Sequence, residues 1–136
     1  MREILFRGKE TATRWVYGSL FVYAEMYMIL TDNCVKNLNI QPISVAPKTV
    51  SQFTGLFDKN GKKIYEGDII RAKIESGNHE GFTWPNMTVD FQQGSFCLKD
   101  RNGYVFCVLG AFAPSVTLEV IGNIHDNPEL LDKGWT

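Results

Sequence analysis

The chain has 136 residues, of which 44% are hydrophobic and 21% are charged, a composition typical of one globular domain or two very small ones. Fourteen Lys and Arg residues against fifteen Asp and Glu residues give a net charge of −1, which excludes the strongly basic surface of a dedicated nucleic-acid-backbone binder. No apolar run approaches the roughly 20 residues of a membrane-spanning helix, and the charged first residues are unlike a signal peptide, so we expect neither.

Strand-like segments dominate the first half of the chain. Ile4 and Phe6 alternate with charged neighbours, residues 15–23 are rich in aromatic and β-branched side chains, and residues 26–30 form a short apolar run. Residues 31–50 are irregular; a helix fits at 32–38, but no sustained 3.6-residue pattern supports it. A further short strand is predicted just before Gly55.

Glycine-containing turns separate the strands predicted in the second half. The turns lie at 58–61, 92–95 and 100–103, and the strands at 64–74, 87–92, 96–98, 104–109 and 118–124. Asn60-Gly61 favours a tight hairpin with positive φ at both residues. Near the end, Asn127, Pro128 and Glu129 predict one or two helical turns. The sequence therefore predicts an all-β protein with at most a few short helices.

The three cysteines, Cys34, Cys97 and Cys107, have no metal-binding or redox spacing. Cys97 and Cys107 flank the turn at Asn102-Gly103, so their strands are expected to pair. A two-residue loop sets Cys97 opposite Val108, whereas a three-residue loop sets the two thiols opposite each other. In either register we expect reduced thiols that pack as small hydrophobic groups.

Few residues have the spacing that catalysis or metal binding requires. His79 and His125 are far apart in the sequence, and no phosphate-binding loop or activated-nucleophile motif is present. Glu66 and Asp68 would share one face of a strand, as paired acid–base carboxylates do. The structural interpretation is preferred, in which Gly67 and Asp68 shape a turn. We therefore expect no catalytic residues, no cofactor and no metal.

Basic and aromatic residues are interleaved in two places, as in proteins that bind single-stranded nucleic acid. One set combines Trp84 with Lys62, Lys63, Arg71 and Lys73; the other combines Trp15 with Arg2, Arg7, Lys9 and Arg14. Acidic residues lie beside both sets, which is typical of ordinary water-exposed strands. The sequence therefore disfavours nucleic acid as a partner.

Four groups of motif residues span nearly the whole chain. The opening Arg2-Glu3-Ile4-x-Phe6-Arg7 is followed by Trp15, Tyr17 and Gly18, and the ending carries Gly122, Asn123, Asn127 and Pro128. The central and most specific stretch contains Gln52, Thr54, Gly55, Leu56, Asp58, Asn60, Gly61, Tyr65, Glu66, Gly67 and Asp68. These motifs resemble those of the YopX family of phage and prophage proteins and occur in the family's order.

The resemblance implies a β-rich N-terminal segment over residues 1–53. It also implies a small antiparallel SH3-like barrel with a C-terminal helical turn over 54–136, and one continuous domain is the alternative. No catalytic residue set or cofactor is carried over, so the motif residues are expected to be structural. Phage or prophage origin implies a bacterial cytoplasmic setting.

Three classes of function remain. The preferred one is a non-enzymatic interaction module that binds a host or phage protein, because small antiparallel barrels expose edges and loops suited to this role. The alternatives are a nucleic-acid-associated accessory protein and a small enzyme. An enzyme would need a pocket lined by Glu66, Asp68 or a histidine with a perturbed pKa.

The apolar content of the N-terminal third predicts self-association. A domain this small buries only about two-thirds of its unfolded surface, and exposed aromatic patches mark interfaces. We expect part of this set to stay exposed and to form a homo-oligomer contact, with Tyr27→Asp or Ile29→Asp as test variants. The set comprises Trp15, Tyr17, Phe21, Tyr23, Met26, Tyr27, Met28, Ile29 and Leu30.

Overall fold

The computed structural model describes residues 1–36, 41–74, 81–112 and 114–132; His79 lies outside them. Short 3₁₀ segments lie at Pro47–Thr49, Leu109–Ala111 and Pro128–Asp132, and the single α-helix of the described ranges, α1 (Asp32–Lys36), is five residues long. The prediction of an all-β protein is confirmed. The strands are β1 (Phe6–Thr11), β2 (Arg14–Tyr23), β3 (Met26–Leu30), β4 (Ile43–Ser44), β5 (Ser51–Phe57), β6 (Lys63–Tyr65), β7 (Asp68–Ile74), β8 (Met87–Gln92), β9 (Ser95–Lys99), β10 (Val105–Val108) and β11 (Val116–Asn123).

These strands form two antiparallel sheets of six and five strands. The chain also divides into two compact units, Met1–Gly55 and Leu56–Thr136. The first unit contains β1 to β4 and most of β5, and the second begins with the last two residues of β5. Each unit has its own cluster of buried apolar side chains.

The first unit is built on neighbouring strands in the order β4-β3-β2-β1-β5. Alternation along β2 turns Val16 and Leu20 towards the core and leaves Tyr17, Phe21 and Tyr23 exposed. The buried centre consists of Val16, Ile29 and Val45, packed against Phe6, Leu20, Tyr27, Ile43 and Val50.

The structure divides the apolar set for which self-association was predicted. Tyr17, Phe21, Tyr23 and Met26 are exposed, but Ile29 has no exposed surface and belongs to the core. An aspartate at Ile29 would place a charge among apolar side chains, so Ile29→Asp would report on folding rather than on association. Phe21 and Tyr23 are the appropriate positions for testing this surface.

The second unit is an antiparallel meander from β7 to β10, after which β11 returns to pair with β7 along its whole length. The segment Leu109–Ala111 forms a 3₁₀ turn between β10 and β11. The strand predicted at 64–74 is interrupted at Gly67, so that β6 ends at Tyr65 and β7 begins at Asp68. The buried cluster is formed by Ile64, Ile70, Ala72, Met87, Val89, Leu98 and Leu109.

The turn at Asn60-Gly61 differs from the predicted one. Only Gly61 has a positive φ, of 80°, and its N–H donates to the carbonyl of Asp58 over 3.0 Å. This pattern is that of a turn whose central residues have right-handed backbone angles and whose last residue is a glycine in the left-handed region. The turn Asp100–Gly103 has the same geometry, with Gly103 at φ 87° and its N–H on the carbonyl of Asp100.

The register of β9 and β10 answers the question left open for Cys97 and Cys107. Val105 pairs with Lys99, the pairing then shifts by one residue at Phe106, and Val108 pairs with Cys97. Cys107 therefore lies opposite Leu98 and not opposite Cys97. Burial raises the pKa of both thiols, and the Asp90 carboxylate raises that of Cys97 further, so both are protonated at neutral pH.

All three cysteines are expected to be reduced in the cell, because Cys97 and Cys107 are free thiols that are not cross-strand partners. Alkylation under denaturing conditions, followed by mass spectrometry, should label three thiols. In the native protein, Cys97 should react more slowly than Cys107, since it is the more deeply buried of the two. A Cys97–Cys107 disulfide in freshly lysed cells would contradict this expectation.

Candidate functional site

Asp58 joins two distant parts of the second unit. Its Oδ1 accepts hydrogen bonds from the N–H groups of Asn60 and Lys62, at 2.9 and 2.8 Å, within its own turn. Its Oδ2 accepts from the N–H of Val120 in β11 over 3.0 Å. Because the side chain is 7% exposed, these three donors replace water around the carboxylate. These contacts indicate that Asp58 holds its own turn against β11.

Asp68 and Gly67 form the turn between β6 and β7. Asp68 is 1% exposed, and its Oδ2 accepts from the N–H of Tyr65 over 2.8 Å, while its own carbonyl accepts from Thr88 Oγ1. Gly67 has φ 81°, donates its N–H to the carbonyl of Val89 and accepts at its carbonyl from the N–H of Ile124. Glu66, which precedes Gly67, is half-buried. The geometry therefore makes this acidic group part of a turn.

The closing motif is a second hydrogen-bonded turn. Asn123 Oδ1 accepts from the N–H groups of His125 and Asp126, and its Nδ2 donates to Asp126 Oδ2 over 3.1 Å. Asn127 Oδ1 accepts from the N–H of Asn123. A Cβ atom on Gly122 would approach Asn127 Oδ1 to 2.6 Å, so only glycine fits without a shift. Pro128 follows at the start of the last 3₁₀ turn.

Most of the other motif residues lie on strands. Gln52 pairs with Phe6 across β5 and β1, Thr54 is half-buried on β5, Gly55 has φ 87°, and Leu56 is exposed. Asn60 and Gly61 form the exposed end of the Asp58 turn, and Tyr65 is buried.

In the first unit, the Arg7 guanidinium lies 4.6 Å from the centre of the Trp15 ring, Tyr17 is exposed and Gly18 is buried.

Several members of the basic and aromatic sets contact other groups of the protein. Arg7 is buried and its Nε donates to Ser51 Oγ over 3.0 Å, while Arg14 pairs with Glu10. In the second unit, Arg71 faces Glu119, with 4.0 Å between Nη1 and Oε2. Trp84 packs within a group of aromatic rings formed by Phe82, Phe106 and Phe112.

An apolar groove runs beside the Asp58 turn in the second unit. It has a volume of about 340 Å³ and is open to solvent. Leu56 and Phe57 stand exposed at its wall, and Asp58 contributes a carboxylate that already accepts three backbone hydrogen bonds. The remaining lining residues are Lys59, Leu109, Gly110, Phe112, Pro114, Val116, Thr117 and Leu118. Sequence reasoning missed this groove, because alternation alone does not show which strand faces stay uncovered.

Neither a metal-binding cluster nor a membrane-spanning helix is present in the described ranges. No group of three or more His, Cys, Asp or Glu side chains in those ranges is arranged to hold a metal ion. No helix in the same ranges is both long and apolar enough to cross a membrane.

Valine at Gly67 is expected to destabilise the second unit by about 1–3 kcal/mol, because a β-branched residue is strained at φ 81°. A Cβ there would lie 3.5 Å from Ile124, an ordinary contact, so the cost comes from the backbone rather than from a clash. Gly67→Asn is the control, since asparagine tolerates the left-handed region. Denaturant unfolding should show stability falling from wild type to Gly67→Asn to Gly67→Val. Equal unfolding midpoints for Gly67→Val and wild type would show that the backbone is not strained by valine.

Comparison with known proteins identifies the family. A family model described as YopX protein matches residues 5–132. Among solved structures, the crystal structure of protein EF1440 from Enterococcus faecalis is similar, with a TM-score of 0.56 and 22% sequence identity over 96% of this chain and 99% of that one. Identity at that level shows a shared fold alone, and no curated protein matches. Because the family model covers nearly the whole sequence, the chain belongs to the YopX family.

Proposed function

We propose that this protein is a phage or prophage accessory protein that binds another protein in the bacterial cytoplasm and catalyses no reaction. The apolar groove beside the Asp58 turn carries the proposal. Its lining is mostly apolar, it is open to solvent, and two of its apolar residues, Leu56 and Phe57, stand at least 40% exposed. Exposed apolar surface of this kind, bordered by charged residues such as Lys59, is characteristic of protein-binding sites.

The carboxylates that an enzyme would use support binding over catalysis. Asp58 accepts three backbone N–H groups and Asp68 accepts that of Tyr65, so both serve the backbone. Hydrogen bonds to the charged form lower the pKa of Asp58 despite the opposing effect of burial. A carboxylate held in this way is a poor general base, because catalysis near neutral pH needs a raised pKa.

The proposal includes an SH3-type barrel for the second unit. It is supported by the meander from β7 to β10, the 3₁₀ turn Leu109–Ala111 and the return of β11 to β7. Nucleic acid is not favoured as a partner, since Arg7, Arg14 and Arg71 are engaged with protein groups.

Affinity capture with matched variants tests the proposed function. Wild-type protein, Phe57→Ser and Phe91→Ser are immobilised and exposed to lysate of the bacterial host, and retained proteins are identified by mass spectrometry. Phe57 lies at the groove and Phe91 on β8, with exposed fractions of 54% and 51%. We expect a protein retained by wild type and Phe91→Ser and lost with Phe57→Ser, and direct binding of the purified partner.

Two outcomes would overturn the proposal. Retention that Phe57→Ser leaves unchanged would remove the groove from the binding site. Retention of nucleic acid that weakens steeply with salt would instead favour the nucleic-acid-associated alternative.

A further inference from the structure

Within the described ranges, the strand β10 is an open edge of the five-stranded sheet. It is the last strand in the order β10-β9-β8-β7-β11 and pairs with β9 on one side. Val105, Phe106 and Val108 are 50, 53 and 51% exposed. An edge of this kind presents N–H and C=O groups that another extended strand is able to pair with.

The opposite edge of the same sheet is closed by the Asp58 turn. The N–H of Lys59 donates to the carbonyl of Leu118 over 2.8 Å, and the N–H of Val120 donates to Asp58 Oδ2 over 3.0 Å. The backbone of β11 is thus occupied on its outer side as well as by β7. Hydrogen bonds from the Asp58 turn therefore protect the β11 edge of the sheet from pairing with another strand.

The sequence of β10 contains few features that discourage strand pairing. From Gly103 to Gly110 the chain reads Gly-Tyr-Val-Phe-Cys-Val-Leu-Gly, without a charge or a proline. Natural edge strands usually carry such residues, or a bulge, to prevent contact with another chain. The one such device in this strand is the shift in pairing at Phe106.

We propose that β10 pairs antiparallel with β10 of a second copy of this chain. The shift at Phe106 puts Val105 opposite Lys99 and Val108 opposite Cys97, so these two valines lie on the same face of the sheet. A two-fold axis between Phe106 and Cys107 would therefore set Val105 opposite the partner's Val108, and Tyr104 opposite the partner's Leu109. Every residue from Gly103 to Gly110 is uncharged, so no like charges face each other across the contact. Such a contact closes on itself as a dimer, since each strand offers the same groups to the other.

This dimer goes beyond the proposed binding of another protein. Its strand shares Leu109 and Gly110 with the groove but does not include the Phe57 wall. The exposed Phe21 and Tyr23 of the first unit are the competing site for self-association. Both residues lie on β2, which has a neighbouring strand on each side, so its backbone offers no open edge to a second copy.

Charges introduced into β10 test the proposal. One variant carries Val105→Lys and Val108→Lys, and the other carries Val105→Asp and Val108→Asp. Both positions are about half exposed, so neither pair of charges enters the core. Sedimentation equilibrium on the full chain should show a wild-type mass that rises with concentration towards twice that of the monomer. Each variant alone should be monomeric, and an equimolar mixture should recover a dimer, because opposite charges then face each other.

The control is Phe21→Lys with Tyr23→Lys, which should dimerise like wild type. A wild type that stays monomeric, dimerisation of the lysine variant alone, a mixture without dimer, or dissociation by the Phe21 and Tyr23 changes would each overturn the proposal. Hydrogen exchange on the wild type is a second measurement that does not depend on the folding of the variants. Protection of the amides of residues 105–108 should increase with protein concentration, and unchanged protection would also overturn it.

Discussion

Replacing Gly18 with alanine is expected to destabilise the first unit by about 3 kcal/mol or more, the upper range for overpacking a core. Gly18 lies in the buried middle of β2, where it pairs with Phe6 of β1. A Cβ at this position would overlap the carbonyl oxygen of Leu30 and come within 2.8 Å of its carbonyl carbon. Because the obstructing atoms belong to the backbone of a paired strand, no side-chain rotation relieves the clash.

The comparison is with Gly110→Ala, whose added Cβ would have Leu56 Cδ1 as its nearest neighbour, at 3.9 Å. Thermal unfolding followed by circular dichroism should show a large loss of stability for Gly18→Ala and little change for Gly110→Ala. Hydrogen exchange should locate the loss in residues 1–55. Equal melting of the two variants would mean that β2 and β3 separate easily and that glycine is not required there.

The sequence predicted local structure well where one physical cause dominates. The alternation of Met87, Val89 and Phe91 with polar residues predicted β8, and the glycines at 61, 67, 94 and 103 all have the positive φ typical of their turns. The sequence indicates a permissive turn at Gly67, yet the pattern of β-branched residues predicts one strand through it. The prediction of the Asn60-Gly61 turn type was wrong, because the Asp58 side chain accepts hydrogen bonds from the turn and stabilises a different conformation.

Long-range contacts and exposure could not be predicted in the same way. The apolar runs 26–30 and 104–109 look alike in the sequence, yet Ile29 is fully buried whereas Val108 is half exposed. The difference depends on which neighbouring strands cover each face. Nor does anything local indicate that Asp58 binds Val120, 62 residues further along the chain. The groove and the β10 edge depend on such contacts, so they emerge only from the fold.

Asparagine at Asp58 is expected to destabilise the protein by about 1–3 kcal/mol at neutral pH, the cost of leaving a buried polar group unsatisfied. The amide oxygen would still accept from Asn60 and Lys62, but the amide nitrogen would then face the N–H of Val120, so that two donors meet. Asp100→Asn is an internal control. The Asp100 carboxylate also accepts two turn N–H groups on Oδ1, from Asn102 and Tyr104, and the side chain is less buried, so we expect about 0.5 kcal/mol or less.

The pH dependence of the stability difference between wild type and Asp58→Asn separates the role of the Asp58 charge from that of its shape. Burial raises the pKa of Asp58, but the hydrogen bonds from Val120, Lys62 and Asn60 outweigh it and hold the pKa below its ordinary value of 3.8. A lowered folded-state pKa contributes stability that is complete above the unfolded-state value and is lost as the pH falls through the folded-state value. Wild type should therefore lose part of its advantage over Asp58→Asn in acid.

The pKa of Asp90 is also lowered, since hydrogen bonds from Gln92, Lys99 and Phe91 outweigh the effect of burial. Asp90 is present in both proteins, so the difference in unfolding free energy between wild type and Asp58→Asn isolates the contribution of Asp58. Measured by denaturant unfolding from neutral pH to below 3.8, this difference should shrink as the pH falls. A constant difference across that range would show that Asp58 holds β11 by shape and not by its charge.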